Sequence, residues 1–293
     1  MPRTRLVVPA AVLALLTTAG APAAAQTWTG AALNGSWTTA GNWNPSGVPN
    51  SAAADVTFGS AGVGTVNIAS PIQVNSVTFA DVGTGNFTLL GGTLTTTAIT
   101  VTGNSTGVQT VNLSAIGTGS LLFPSGVGLT LTNNADGSLV LGPNTVIGTP
   151  GGGGVIVNGT GGPTTISGSF AGGSNNVISG VTKNALGDLT LSGNNANLTG
   201  PTTVNSGQLV ADYSATAGRK LPTGALTLTG SVLSLLASGT SSANETVAGV
   251  TVGSGASTVS LASSVGSPQP LSLSLGPSIN RTGGGTLDID RNF

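Results

Sequence analysis

From Asp55 onward the chain is written in short runs of alternating apolar and polar residues, each closed within a few positions by Gly, Asn, Ser or Pro. Residues 55–58 (DVTF), 65–68 (TVNI), 76–79 (SVTF), 87–90 (FTLL), 129–132 (LTLT), 189–191 (LTL), 225–228 (ALTL) and 271–275 (LSLSL) are examples. Each places apolar side chains at i and i+2, with mostly Thr, Ser or Asn around them. A strand turns successive side chains to opposite faces, so this period of two marks strands with one buried face. Turn residues arrive too soon for helices, and the helix-forming polar residues Glu, Lys and Arg are scarce.

Two architectures accommodate many short strands, an antiparallel sandwich or barrel and a parallel solenoid. The inward residues here are small and uniform, the corners carry Asn and Gly, and no long return loops occur. In a solenoid each coil pairs with the coils above and below, and like residues stack in ladders. Ladders of Thr, Ser and Asn need no charge, which fits a chain that is 5% charged, against about 25% in an ordinary domain. The predicted fold is therefore all-β, a parallel β-helix or β-solenoid with little or no helix. At about 20 residues per coil, a dozen coils are expected, spaced about 4.8 Å apart in a rod of roughly 55 Å.

Composition removes whole classes of chemistry. With no Cys and no His, the chain has no thiolate nucleophile, imidazole base, disulfide or His/Cys zinc site. Seven basic residues against eight acidic ones make no surface for neutralising phosphates, so nucleic acid is not an expected partner. No cofactor is implied.

Residues 1–25 read as a secretory signal: Arg3 and Arg5, an apolar run from Leu6 to Leu16, then Ala23, Ala24 and Ala25 as a small-residue cleavage site before Gln26. The run is too short to cross about 30 Å of hydrocarbon, and no later segment is long and apolar enough to span a membrane. Residues 26–54 have a different texture. Trp28, Trp37 and Trp43, the only tryptophans of the chain, are separated by Gly, Asn and Pro. Two readings stand. They are an aromatic cap over the first layer of a repetitive core, which an elongated repeat requires, or a platform on which sugar rings stack. Residues 55–293 are then the solenoid body.

The sharpest text is 186–210, LGDLTLSGNNANLTGPTTVNSGQLV. It reads as strand, Asn-rich corner, strand, Gly corner, strand, with Leu189, Leu191, Val204 and Leu209 facing inward. Gly193, Gly200 and Gly207 fall at corners, where positive φ is cheapest for Gly.

Lys183, Gly187, Leu189, Leu191, Ser192, Gly193, Asn195, Gly200, Thr202, Thr203, Val204, Gly207 and Leu209 fit the pattern of the autotransporter-associated β-strand repeat, also called the passenger-associated transport repeat. Segment 183–210 resembles that family, and 221–236 looks like its usual continuation. Asn184 and Ala185 depart from the family's first Gly region, one residue is extra in the Asn corner, and Leu198 stands where Tyr is usual. The resemblance implies a right-handed parallel β-helix, secreted or displayed on a bacterial surface as a passenger. Surface display would involve an outer-membrane barrel beyond this chain.

Carboxylates are the remaining route to chemistry. Asp288 and Asp290 are two apart on a strand pattern, hence on one face about 7 Å from each other, with Arg281 and Arg291 nearby. That spacing suits glycoside hydrolysis or an oxygen-ligated cation, and equally a charged, edge-protecting terminal coil. The other acids are scattered in turns, and Arg219-Lys220 reads as a solvated loop. The expectation is an exported, non-enzymatic stalk or adhesin-like element. Surface polysaccharide or matrix is its candidate partner, and rods could associate end to end. The alternatives are a secreted carbohydrate-binding module using Trp28, Trp37 and Trp43, and a polysaccharide-degrading β-helix centred on Asp288 and Asp290.

Overall fold

A computed structural model describes residues 25–113, 119–124, 126–148, 152–170, 178–196, 198–237, 242–263 and 270–292. The signal segment 1–24 lies outside them; Ala25 is exposed, and Gln26 opens the first strand, Gln26–Trp28. Among the described residues the only helical element is one 3-10 turn, Ala40–Asn42. The rest is strand and corner, and the parallel sheets stack as a β-solenoid.

From Asp55 onward each coil contributes one strand to each of two long faces of the rod. The first face is a twelve-stranded sheet, and the second is a ten-stranded sheet. Only one pairing in the first face is antiparallel, that of Trp43–Asn44 with Gln26–Trp28 at the capped end. Coils are longer than the sequence periodicity suggests, so fewer fit. Asp55 pairs with Ser76 on the next coil and Ala98 pairs with Thr130 on the coil after its own, a step half as long again. The ladders keep their register along the described strands except between Gly153 and Val155, where the partners step from Ile178 to Val181.

The third face is discontinuous. Ile72–Gln73, Leu94–Thr95, Ser120–Leu122, Val146–Gly148 and Ser169–Phe170 form a five-stranded sheet, and Ala243–Thr246 pairs separately with Leu271–Ser274. Between them, two coils have no third-face strand among the described residues.

The core follows from the alternation. Val56, Phe58, Val77, Phe79, Ile99 and Val101 are buried along the first face, and Leu139, Leu141, Leu189, Leu191 and Leu209 along the second. The inward residues Leu189, Leu191, Val204 and Leu209 are all where the pattern put them. Burying one such side chain stabilises the fold by about 1.5–3 kcal/mol. Their repetition along the axis, together with the backbone ladders, holds the rod without disulfides. Corner Asn residues turn inward to satisfy backbone groups. Asn133 Nδ2 donates to the carbonyls of Gly137 (2.8 Å) and Gly162 (3.0 Å).

Outward residues stack just as regularly. On the first face one column runs Thr27, Thr57, Thr78, Thr100, Thr132 and Asn158. It continues through side-chain hydrogen bonds from Asn184 to Asn158 (2.9 Å) and from Asn205 to Asn184 (2.8 Å). The neighbouring column runs Thr130, Ile156, Thr182, Thr203, Thr227 and Thr251. The corresponding column of the second face is interrupted by Val140 and Val210 and ends on Asp290.

Candidate functional site

Two places in the rod concentrate chemically distinctive side chains, the aromatic end and the gap in the third face. At the aromatic end Trp28, Trp37 and Trp43 are 1%, 0% and 3% exposed. Their rings pack mainly on one another: Trp28 to Trp43 at 5.1 Å and Trp37 to Trp43 at 4.8 Å, both edge-on. Phe58 lies 5.8 Å from Trp43 and stacks on Phe79 at 5.3 Å, which carries the aromatic column into the body. Edge-to-face packing suits the ring quadrupoles and adds to the area buried. Each indole N–H is also satisfied, by the carbonyls of Gly62 (3.0 Å), Pro49 (3.0 Å) and Trp37 (2.8 Å) respectively. The geometry is that of a plug, and no indole presents an open face for a sugar. A pocket of about 220 Å³ beside it is lined by Trp28, Leu33 and Val63 with three glycines and Thr65. Leu33 stands out from it, 93% exposed at φ 56°.

The gap in the third face and its margin hold the only buried charged side chains among the described residues: Lys183, Lys220 and Glu245. Lys220 corrects the expectation of a solvated loop, because it is 0% exposed. Glu245 corrects the expectation of an acid in a turn, since it sits inside on the strand Ala243–Thr246. Its carboxylate accepts from the Lys220 N–H (2.5 Å), the Leu221 N–H (3.1 Å), the Tyr213 hydroxyl and Arg219 Nε (3.4 Å). Arg219 Nη2 donates in turn to the carbonyls of Thr246 (2.9 Å) and Leu221 (3.2 Å). The Lys220 ammonium donates to Thr216 Oγ1 (2.7 Å) and lies 5.1 Å over the Tyr213 ring. Asn195 closes the network by donating to the Lys220 carbonyl (3.0 Å).

One coil away, Lys183 occupies a core position on the first face, in register between Val157 and Val204. Its ammonium bends to the carbonyls of Ala185 (2.5 Å) and Ser206 (2.8 Å). Gly207, at φ 62°, passes so close that a Cβ there would lie 2.7 Å from Lys183 Nζ. The lysine therefore ties two successive corners together.

Burial sets the electrostatics. It pushes the Lys183 ammonium down to about 8, opposed by the nearby Asp188 carboxylate. Lys220 is likewise lowered by burial, against the pull of Glu245 and Asp212. Burial, and then the Glu245 charge and hydrogen bond, push the Tyr213 phenol up, so it remains protonated throughout the ordinary range. The network is a protonated donor set wrapped around one carboxylate. It satisfies backbone groups that no strand pairs in this part of the rod. A shallow pocket of about 240 Å³ lies on its solvent side, lined by Tyr213, Arg219, Ser242 and Asn244 with Ala217 and Gly218.

Asp288 and Asp290 are exposed on the last described strand, Thr286–Asn292. Register places them beside Thr258 and Ser260, on one outward face as the spacing predicted. Arg281 lies on Ile279–Arg281, a strand of the other long sheet. Among the described residues no group of three or more His, Cys, Asp or Glu is placed to hold a metal ion.

The sequence reading missed the Tyr213–Arg219–Lys220–Glu245 cluster. One signal pointed to it: Glu245 follows Lys220 at close to the length of one coil of this rod, so the two meet across adjacent layers. Comparison with known proteins adds no family: no protein-family model, no curated protein and no solved structure matches the chain.

Proposed function

We propose that the chain is an exported, non-enzymatic β-solenoid rod that serves as a stalk or adhesin-like passenger. The observation that carries this reading is the continuity of the two long sheets. Ten strands of each sheet run along the body, and up to the last coil their inward side chains are committed to the core, an arrangement that makes length and stiffness. The polar cluster fits the same role, because its carboxylate and both lysines hold backbone groups of the chain itself. The resemblance of 183–210 to the passenger-associated repeat and the signal-like residues 1–25 support export. No helix among the described residues is long and apolar enough to cross a membrane.

Fractionation of native cells, with intact-mass analysis of the species recovered, tests this. The reading expects the protein in the outer-membrane, periplasmic or medium fraction, processed before Gln26. Unprocessed protein confined to the cytoplasm overturns it. A species much heavier than residues 26–293 in the outer membrane assigns the rod to a larger surface-displayed passenger.

A further inference from the structure

The two ends of the rod are finished differently. At the aromatic end Trp28, Trp37 and Trp43 are buried, and each indole N–H is bonded. At the other end the last described coil runs through Leu271–Ser274, Ile279–Arg281 and Thr286–Asn292, and each of these strands is outermost in its sheet. Its core side chains stand open. Ile279 continues the column of Val250, and Ile289 that of Val259, yet they are 53% and 49% exposed where the residues beneath them are buried. Leu271, Leu273, Leu275 and Leu287 are only partly buried. Open strand edges around an apolar layer are a template for pairing with another chain.

The same coil holds two of the three arginines that follow Gln26, and register sets both on inward columns. Arg281 pairs with Val252, beneath which the column runs through Leu228 and Val204. Arg291 pairs with Leu261, which stands on Leu235. All of these partners are buried, so each guanidinium occupies a position where the core pattern calls for an aliphatic side chain. Asp288 and Asp290 pair with Thr258 and Ser260 and project from the other side of the strand.

We propose that Arg281 and Arg291 are gatekeepers that keep the rod single, because they make its open end too costly to bury against a second copy. Facing residues of paired strands lie on one side of a sheet. Two copies meeting through this coil would therefore set inward columns against inward columns. Four guanidinium groups would enter one apolar layer, with the Asp288 and Asp290 carboxylates on the far side of the sheet. Burying an unpaired guanidinium costs more than a half-buried Ile or Leu gains by completing its burial. Lys183, inward on the same column as Arg281, marks the contrast. Its ammonium is held from both sides, by the Ala185 carbonyl of its own corner and the Ser206 carbonyl of the next coil. Among the described residues Arg281 is held by its own corner alone, with Nε donating to the Gly285 carbonyl (2.7 Å). Wild-type rods then stay separate, contrary to the end-to-end association expected from the sequence. With the aromatic end plugged, each rod has one end to guard, and removing the guard releases a pair and not a filament.

The experiment compares mature wild-type protein, Arg281→Leu/Arg291→Leu, and Thr165→Leu/Thr190→Leu, which adds leucines to the outward second face as a control. Light scattering after size exclusion gives the mass over a concentration series, and small-angle scattering gives the longest dimension. Wild type and control are expected to be monomers throughout. The arginine variant is expected to reach twice the monomer mass and close to twice its length, at unchanged cross-section, and to grow no further. These substitutions make a net-negative chain more negative, so general electrostatics opposes the expected pairing. Should circular dichroism or the thermal midpoint show a disturbed fold, Arg281→Gln/Arg291→Gln is expected to pair more weakly than the leucine variant and more strongly than wild type. A wild-type dimer, or folded arginine variants that stay monomeric, overturns the proposal. So does equal association by the control, which assigns the effect to added apolar surface, or growth into filaments, which shows that the aromatic end is open as well. None of these outcomes bears on the cell fraction in which the protein is found.

Discussion

Two openings among the described residues, the N-terminal end of the rod and the gap in its third face, are closed with opposite chemistry. At the N-terminal end no described coil lies below the first, and three tryptophans and Phe58 fill the space with rings whose N–H groups are all bonded. In the middle of the third face two coils lack a strand among the described residues, and Tyr213, Arg219, Lys220 and Glu245 fill the space with a hydrogen-bonded network. The difference lies in what each opening leaves unsatisfied. An exposed end offers mainly apolar core, which rings cover. A missing strand leaves backbone N–H and C=O groups without partners inside the fold, and only polar side chains can pair them.

The sharpest way to break the comparison is at the rings. Trp37→Ala is expected to destabilise the fold by about 3–5 kcal/mol, read as a lowered denaturant midpoint. A smaller loss than that of a surface substitution would mean the cap is dispensable. Next is Glu245→Ala. It strands the Lys220 and Leu221 N–H groups and the Tyr213 hydroxyl, and a cost of about 3 kcal/mol is expected. Glu245→Gln keeps acceptor geometry without charge and should recover part of it. If Glu245→Ala matched wild type in chemical denaturation, the polar network would not be closing the gap.

Lys183→Met separates charge from packing. The substitution fills the slot between Val157 and Val204 and is expected to change stability by no more than about 1 kcal/mol near neutral pH. The effect is in the pH dependence. The folded-state pKa lies near 8, below the ordinary value of 10.5, so burying the charged ammonium costs stability, and folding releases a proton from this group only between those two values. The resulting penalty is complete below about pH 8 and is relieved as pH rises toward 10.5. Wild type should therefore gain stability across that window, less steeply in the variant. Lys220, lowered in the same direction, keeps the slope from vanishing, and an unchanged slope would remove Lys183 as a contributor. The smallest effect is expected from Thr190→Val, on the outer column of the second face. Less than about 0.5 kcal/mol is expected, and a larger change would show that outward ladders carry stability.

The alternation of Leu189, Leu191 and Leu209 with Thr190 and Val210 is local, so the strands, their buried face and the stacking of coils were all legible in the sequence. The tryptophans declared themselves through their isolation in one stretch. The coil count was not legible. The step from Ala98 to its partner Thr130 is half as long again as that from Asp55 to Ser76, and corner length has no period. The polar cluster was hidden for the same reason. Arg219-Lys220 and Glu245 look ordinary in their own segments. They become neighbours only once the length of the intervening coil is known.

Lys183 and Lys220 are the only lysines of the chain, and both are fully buried. The folded body therefore displays no side-chain amine, while an unfolded chain displays two. Amine-reactive labels, reductive methylation and lysine-directed proteases will thus report on chains that have not yet folded and pass over those that have. On a cell surface the same property would leave amine-directed cross-linking no side-chain amine of the folded body to act on, and a labelled Lys183 or Lys220 would count molecules caught before their coils had closed.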